Sequence, residues 1–317
     1  DNSFTGGLDI KGLCGVETST ALGAGPVRLS GGEIDILATS PLSIDNSLAV
    51  LSGSRLRFGH ALTLSGPVDF QGTLRVAGGR DMLIFNQPLT GQVDILDEDG
   101  STAPVRLRQL RSYSATIRCA DAAFLPDDSD TLTSISEVLN VANGRLDLTN
   151  NDLISRWYSS QGYPLLDGLR QALSVGRLYT SLTDGTRFNL GYAANRVLGL
   201  STYRGLPVDS GQYFVSYTFT GDSNLDGEVD LEDLTALASH WQSTNQYWTG
   251  GDFNYDSIVN IDDLQLLANN WEAGVVNPTD PPLKDLLASL GLPPVEVPEP
   301  SIIVICAVAA GLRRRRD

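Results

Sequence analysis

Leu42-Ser43-Ile44, Leu48-Ala49-Val50, Leu56-Arg57-Phe58, Leu62-Thr63-Leu64, Val68-Asp69-Phe70 and Leu74-Arg75-Val76 follow one another through short links that contain Gly, Ser, Pro or Asn. Apolar residues at every second position are the mark of half-buried strands. Val27/Leu29, Ile34/Ile36 and Val93/Ile95 extend the pattern, so residues 1–110 read as one β region. Successive pairs start mostly six to eight residues apart, which leaves no room for the dozen or so residues of a helical crossover. Either an antiparallel sandwich or a β-solenoid with about 20 residues per coil satisfies this spacing.

The whole chain of 317 residues fits the same reading: 32 glycines point to turn-rich β structure. Its 22 basic and 38 acidic residues give a net charge of −16, which repels polyphosphate and excludes nucleic acid as a partner. Cys14, Cys119 and Cys306 are too widely spaced and too few for a disulfide framework or a metal knuckle. The opening Asp1-Asn2-Ser3 carries neither Met nor an apolar leader, and is read as the start of a fragment or processed chain.

Residues 111–220 change character. Strand-like stretches at 145–154 and 212–220 flank an amphipathic helix expected over 164–175, with Leu165, Leu166, Leu169 and Leu173 on one face. This segment is read as an α+β cap or spacer. Between Gly205 and Leu283 there are 13 carboxylates and no Lys or Arg. Residues 275–296 are Pro-rich and read as a linker, with a short helix over 284–290.

The acidic stretch holds a spacing with chemical meaning. A hard cation such as Ca²⁺ takes six to eight oxygens, from side chains at loop positions 1, 3, 5, 9 and 12 and a backbone carbonyl at 7, with Gly favoured at 6. Asp222, Asn224, Asp226, Glu228 (carbonyl), Asp230 and Asp233 occupy these positions, with Gly227 at the turn. Thirty residues on, Asp252, Asn254, Asp256, Ile258 (carbonyl), Asn260 and Asp263 repeat the set, with Ser257 in place of Gly. Two Ca²⁺ sites are expected, the second weaker. Each loop runs into an apolar helical face, Leu234/Leu237/Ala238/Trp241 and Leu264/Leu267/Ala268/Trp271, and the two faces can bury each other.

Three stretches resemble known families. Asn2-Ser-Phe-Thr-Gly-Gly-Leu-Asp-Ile10 and Ala21-Leu-Gly-Ala-Gly-Pro-Val-Arg-Leu-Ser-Gly-Gly32, echoed in 62–67 and 72–79, resemble the autotransporter-associated β-strand repeat. That resemblance implies a right-handed parallel β-helix on an exported bacterial protein. Residues 221–274 lack an entering helix before either loop and carry Asp at position 12, and so resemble the dockerin type I repeat pair. It implies a small all-α calcium-binding domain whose partner is a cohesin or another surface protein, met through Leu231, Glu232, Ile261 and Asp262. Residues 297–317 place Pro298, Glu299 and Pro300 before an apolar run and Arg313, Arg314, Arg315 and Arg316, an order similar to a PEP-CTERM sorting signal. It implies a transient membrane segment cut by an exosortase-type peptidase.

No HExxH, GxSxG or Walker-type loop occurs. His60 and His240 are read as surface or helix residues, and Asp97-Glu98-Asp99-Gly100 as a turn. The expectation is a mainly β, non-enzymatic exported protein of the cell surface or extracellular space, with polysaccharide a possible ligand. The alternative is the accessory, dockerin-bearing part of a polysaccharide-degrading enzyme.

Overall fold

The computed structural model describes residues 5–98, 103–126, 133–141, 144–156, 165–276 and 278–295. The strand pairs of the opening stretch do not pair with their sequence neighbours. Val27–Leu29 lies parallel to Leu48–Val50, which lies parallel to Val68–Phe70, with Val27, Leu48 and Val68 in register. Glu33–Ile36, Ser54–Phe58 and Thr73–Ala77 form a second parallel ladder, and Leu42–Ile44 with Leu62–Leu64 a third. Every strand therefore pairs with the one a coil away, and the fold is a parallel β-solenoid of about six turns. The sandwich alternative is thereby removed.

The register explains the period-two pattern. Inward residues stack on their own kind along each ladder: Leu42, Leu62, Leu83, Val105 and Ala122 succeed one another on the third face. Leu62, Leu83, Val105 and Ala122 are wholly buried. Where the coil turns, the long strand Leu83–Asp97 shifts register at Phe85/Pro88 and again at Gly91/Gln92. Gly91 sits at φ +79°, and a Cβ there would lie 2.1 Å from the Phe70 carbonyl oxygen of the coil below, so no larger residue fits.

Residue 110 is not the end of the solenoid, as the sequence pattern placed it. Val105–Arg118 pairs in parallel with Ala122–Phe124 and with Ser134–Asn140, and these with Leu146–Asp147 and Leu153–Ser155; Leu178–Tyr179 adds a last parallel rung. The α+β spacer expected over 111–220 is thus β-solenoid in its first part. The physical reason is a change in the interior. The ladder that runs Ile10, Leu29, Val50 and Phe70 continues as Gly91, Ser112, Ser136 and Ser155. All three serines are buried, and Ser112 and Ser136 share a hydrogen bond of 3.2 Å between hydroxyls. Gln109 and Asn151, also buried, donate to the carbonyls of Thr133 (3.1 Å) and Leu125 (2.9 Å) on neighbouring coils. Polar groups replace apolar ones inside, several of them hydrogen-bonded from coil to coil, and the alternation disappears from the sequence while the geometry persists.

The solenoid is closed by antiparallel pairing. Tyr213–Phe219 runs against Leu153–Ser155 on one side and against the whole of Phe188–Ala194 on the other. Helix Leu165–Ser174 packs on Phe188–Ala194, with Leu166, Leu169 and Leu173 buried; Pro164 and the Leu165 side chain lie outside the described residues. A short hairpin, Thr202–Tyr203 with Leu206–Pro207, lays Tyr203 flat on Phe214 at a centroid distance of 4.2 Å. It also carries Arg204, whose Nε donates to the buried Asp152 at 2.8 Å, and Ser216 donates to the same carboxylate at 2.6 Å.

Residues 283–290, read as part of a linker, form a helix whose Leu283, Leu286 and Leu287 are buried in the common core, so this stretch is docked. No helix among the described residues is long and apolar enough to cross a membrane. The sorting-signal residues, from Pro298 to Arg316, lie outside the described residues.

Candidate functional site

The two acidic loops fold alike. In each, the residue at position 9 caps a helix: the Asp230 side chain accepts from Glu232 N at 2.8 Å before helix Leu231–Ser239, and Asn260 accepts from Asp262 N at 2.6 Å before Ile261–Asn269. Position 12 closes the capping box, Asp233 accepting from Asp230 N (2.9 Å) and Asp263 from Asn260 N (3.0 Å). The other oxygen of each reaches back to the start of its loop, accepting from Ser223 N (2.7 Å) and Phe253 N (2.8 Å). Positions 2 and 12, ten residues apart in sequence, are thereby brought together. Position 3 is tied to position 5, Asn224 Nδ2 and Asn254 Nδ2 each donating at 3.0 Å to the carboxylate of Asp226 or Asp256.

Backbone conformation repeats too. Position 4 is left-handed in both loops, at Leu225 (φ +61°) and Tyr255 (φ +65°), and so is position 6, at Gly227 (φ +89°) and Ser257 (φ +72°). Ser257 holds a conformation that Gly227 adopts freely, at a cost of about 1 kcal/mol.

The two units interlock reciprocally. Val229 exchanges backbone hydrogen bonds with the segment after the second helix, Val229 N to Ala273 O and Glu272 N to Val229 O, both 2.9 Å. Val259 does the same after the first helix, Gln242 N to Val259 O at 2.8 Å and Val259 N to Ser243 O at 3.0 Å. The glycine before each loop touches the opposite helix: a Cβ on Gly221 would lie 3.0 Å from Leu267 Cα, and one on Gly251 2.9 Å from Leu237 Cα. Gly251→Ala, at φ +100°, is expected to cost about 1–3 kcal/mol in chemical denaturation; a variant as stable as the parent would contradict this packing.

The electrostatics of the loops are unusual for a protein interior. Asp222, Asp233, Asp252 and Asp263 are all fully buried. Among the described residues no Lys, Arg or His forms an ion pair with any of them. Burial, reinforced by the charge of Asp233, drives the Asp222 carboxyl well above the ordinary range. Burial and the Asp263 charge push Asp252 up to about 7, and burial raises Asp263 to about 6. One oxygen, Asp252 Oδ1, is buried without any hydrogen-bond partner. A buried carboxylate oxygen with nothing to bind is costly, and a hard cation is the partner such a cluster of oxygens fits.

Among the described residues no three His, Cys, Asp or Glu side chains stand close enough to hold a metal by themselves. The donor set each loop offers is mixed, carboxylates with Asn224 or Asn254 and a main-chain carbonyl. Glu228 and Ile258, assigned through their carbonyls, lie at the rim, and Ile258 is 40% exposed.

A carboxyl whose pKa is raised on folding stabilises the folded chain while protonated, and that stability is lost as pH climbs through the raised value. The metal-free protein is therefore expected to weaken as pH rises from the ordinary carboxylate value of 3.8 through about 7. A cation bound by the loop carboxylates would compete with protons and reverse the slope. Denaturation midpoints at about pH 5 and pH 8, with Ca²⁺ or with EGTA, check this; midpoints in EGTA that do not fall between the two would contradict it.

Three contributors carry no local signal in the sequence. Thr218 on the last solenoid strand donates its hydroxyl to the Asp222 carboxylate, Ser223 Oγ donates to Asp233 at 2.8 Å, and the indole of the wholly buried Trp248 donates to the Asp222 carbonyl at 2.5 Å. The glycine pair does carry a signal, since Gly221 and Gly251 precede the two loops at the same thirty-residue spacing.

The other residues weighed for chemistry are dispersed. His60 is exposed on a solenoid turn, and His240 caps the end of the first helix with its ring 2.9 Å from the Ala236 carbonyl. Asp97 accepts from Ala120 N at 2.8 Å and Glu98 pairs with Arg55, while Asp99 and Gly100 lie outside the described residues. Comparison of the chain with protein-family models, with curated proteins and with solved structures returned no match.

Proposed function

We propose that this chain is a non-enzymatic, exported structural or adhesion-type protein of the cell surface or extracellular space. Its β-solenoid ends in a dockerin type I-like pair of calcium-binding units, followed by a PEP-CTERM-type sorting tail. One observation supports the reading above all: four fully buried loop carboxylates with no ion-pair partner among the described residues, one of them with the orphaned oxygen Asp252 Oδ1. Ca²⁺ would be held by Asp222, Asn224, Asp226, the Glu228 carbonyl, Asp230 and Asp233 in the first unit. Asp252, Asn254, Asp256, the Ile258 carbonyl, Asn260 and Asp263 serve in the second. The exposed Glu232, Ile261 and Asp262 remain available to a surface-protein partner, cohesin-like by resemblance.

In this reading an exosortase-type peptidase acts at Pro298-Glu299-Pro300 and leaves Arg313 to Arg316 with the discarded membrane segment. About 11 apolar residues span only about 17 Å as a helix, too little for a lasting anchor. Protease shaving of intact native cells should release solenoid peptides, and mass spectrometry of the exported protein should find a C-terminus near Pro300. Solenoid peptides protected inside intact cells would overturn the surface assignment, and an intact Arg313–Asp317 end on exported protein would overturn the sorting tail.

A further inference from the structure

Both loops touch the solenoid through the same position. Leu225, at position 4 of the first loop, is 3% exposed and packs so closely on strand Phe188–Ala194 that a Cβ on Gly191 would lie 2.5 Å from its Cδ2. Tyr255, at position 4 of the second, donates its hydroxyl to the Leu190 carbonyl of the same strand at 2.7 Å. Its ring stands beside Tyr192 (6.2 Å between centroids) and stacks on Trp248 (5.9 Å). The Trp248 indole nitrogen in turn would be 2.8 Å from that added Gly191 Cβ. Phe188–Ala194 pairs over its full length with Tyr213–Phe219, and that strand pairs with Leu153–Ser155 of the last coils.

Each position-4 residue lies between the side chains at positions 3 and 5, Asn224 and Asp226 or Asn254 and Asp256, and is held at positive φ. Its backbone cannot shift without moving those donors. Repelling carboxylates loosen the loop, and a bound cation tightens it.

We infer that Leu225 and Tyr255 transmit occupancy of the two loops to the closing strands of the solenoid, so that Ca²⁺ sets the local stability of Phe188–Ala194 and Tyr213–Phe219. The module is then an integral lid of the solenoid and not an interchangeable plug. The inference rests on the calcium reading, and the experiment separates the two.

Hydrogen exchange with mass spectrometry on the full chain, in saturating Ca²⁺ and in excess EGTA, is the test. Ca²⁺ is expected to slow exchange in peptides covering 188–194 and 213–219 by about ten-fold or more, and to leave 27–77 unchanged. Tyr255→Phe, which removes only the hydroxyl bonded to Leu190, and Leu225→Ala should each bind Ca²⁺ at the parent stoichiometry while losing most of that gain in 188–194, the strand they touch. Slowing confined to 222–233 and 252–263 would overturn the transmission and leave calcium binding standing. Full gain in both variants would overturn the assigned route, and no slowing anywhere would overturn the calcium reading and the inference with it.

Discussion

In EGTA the full chain is expected to unfold about 10 °C below its Tm in saturating Ca²⁺. A ligand present at a hundred times its Kd stabilises the folded state by about 2.7 kcal/mol per site, so two sites supply about 5 kcal/mol, and a chain of this size shifts by roughly 2 °C or more per kcal/mol. The size of the effect comes from Asp222, Asp233, Asp252 and Asp263, which are fully buried and have no ion-pair partner among the described residues. The two loops should not contribute equally. Asp222→Ala with Asp226→Ala is expected to cost more than Asp252→Ala with Asp256→Ala, because Gly227 accepts φ +89° freely whereas Ser257 is strained at φ +72°. The reverse order in differential scanning calorimetry would show that Ser257 is harmless, and a Tm indifferent to EGTA would remove the stabilising role of the metal.

Arg204→Ala is expected to lose about 3–5 kcal/mol, in Ca²⁺ and in EGTA alike. Asp152 is 2% exposed and its carboxylate accepts from the Arg204 Nε at 2.8 Å and the Ser216 hydroxyl at 2.6 Å, so removing the guanidinium takes the charge-assisted hydrogen bond away from a buried carboxylate. Arg204 also stands at φ +52° in the hairpin that closes the solenoid end, and its side chain is only 12% exposed. Urea unfolding of the variant checks this, and a loss below about 1 kcal/mol would show that Asp152 finds another partner or stays protonated.

What could be read from the sequence follows from how strongly each feature restricts residue type. From Val27 to Val76 each coil buries Leu, Val, Ile or Phe at alternate positions, and the period survives in the letters. The loops are legible for a different reason: cation chemistry requires oxygen donors at fixed spacing, and the second copy repeats it thirty residues later. Legibility fails beyond residue 110, where Ser112, Ser136, Asn151 and Thr180 take over interior positions and hydrogen bonds between coils replace apolar stacking. It fails again at the lid. Trp248, Gly191 and Tyr255 meet only because Phe188–Ala194 folds antiparallel against Tyr213–Phe219, a pairing between stretches that neither periodicity nor spacing links. A short helix is expected over 284–290 and one forms over 283–290, yet its Pro-rich surroundings read as a linker and concealed that Leu283, Leu286 and Leu287 are buried.

Isothermal titration of Ca²⁺ into the EGTA-stripped, dialysed full chain tests the central claim most directly. The account predicts saturable binding of two ions per chain, reduced to one by Asp222→Ala with Asp226→Ala and to one by Asp252→Ala with Asp256→Ala. Absence of saturable binding by the folded parent chain, or a stoichiometry that neither pair of substitutions changes, would contradict it.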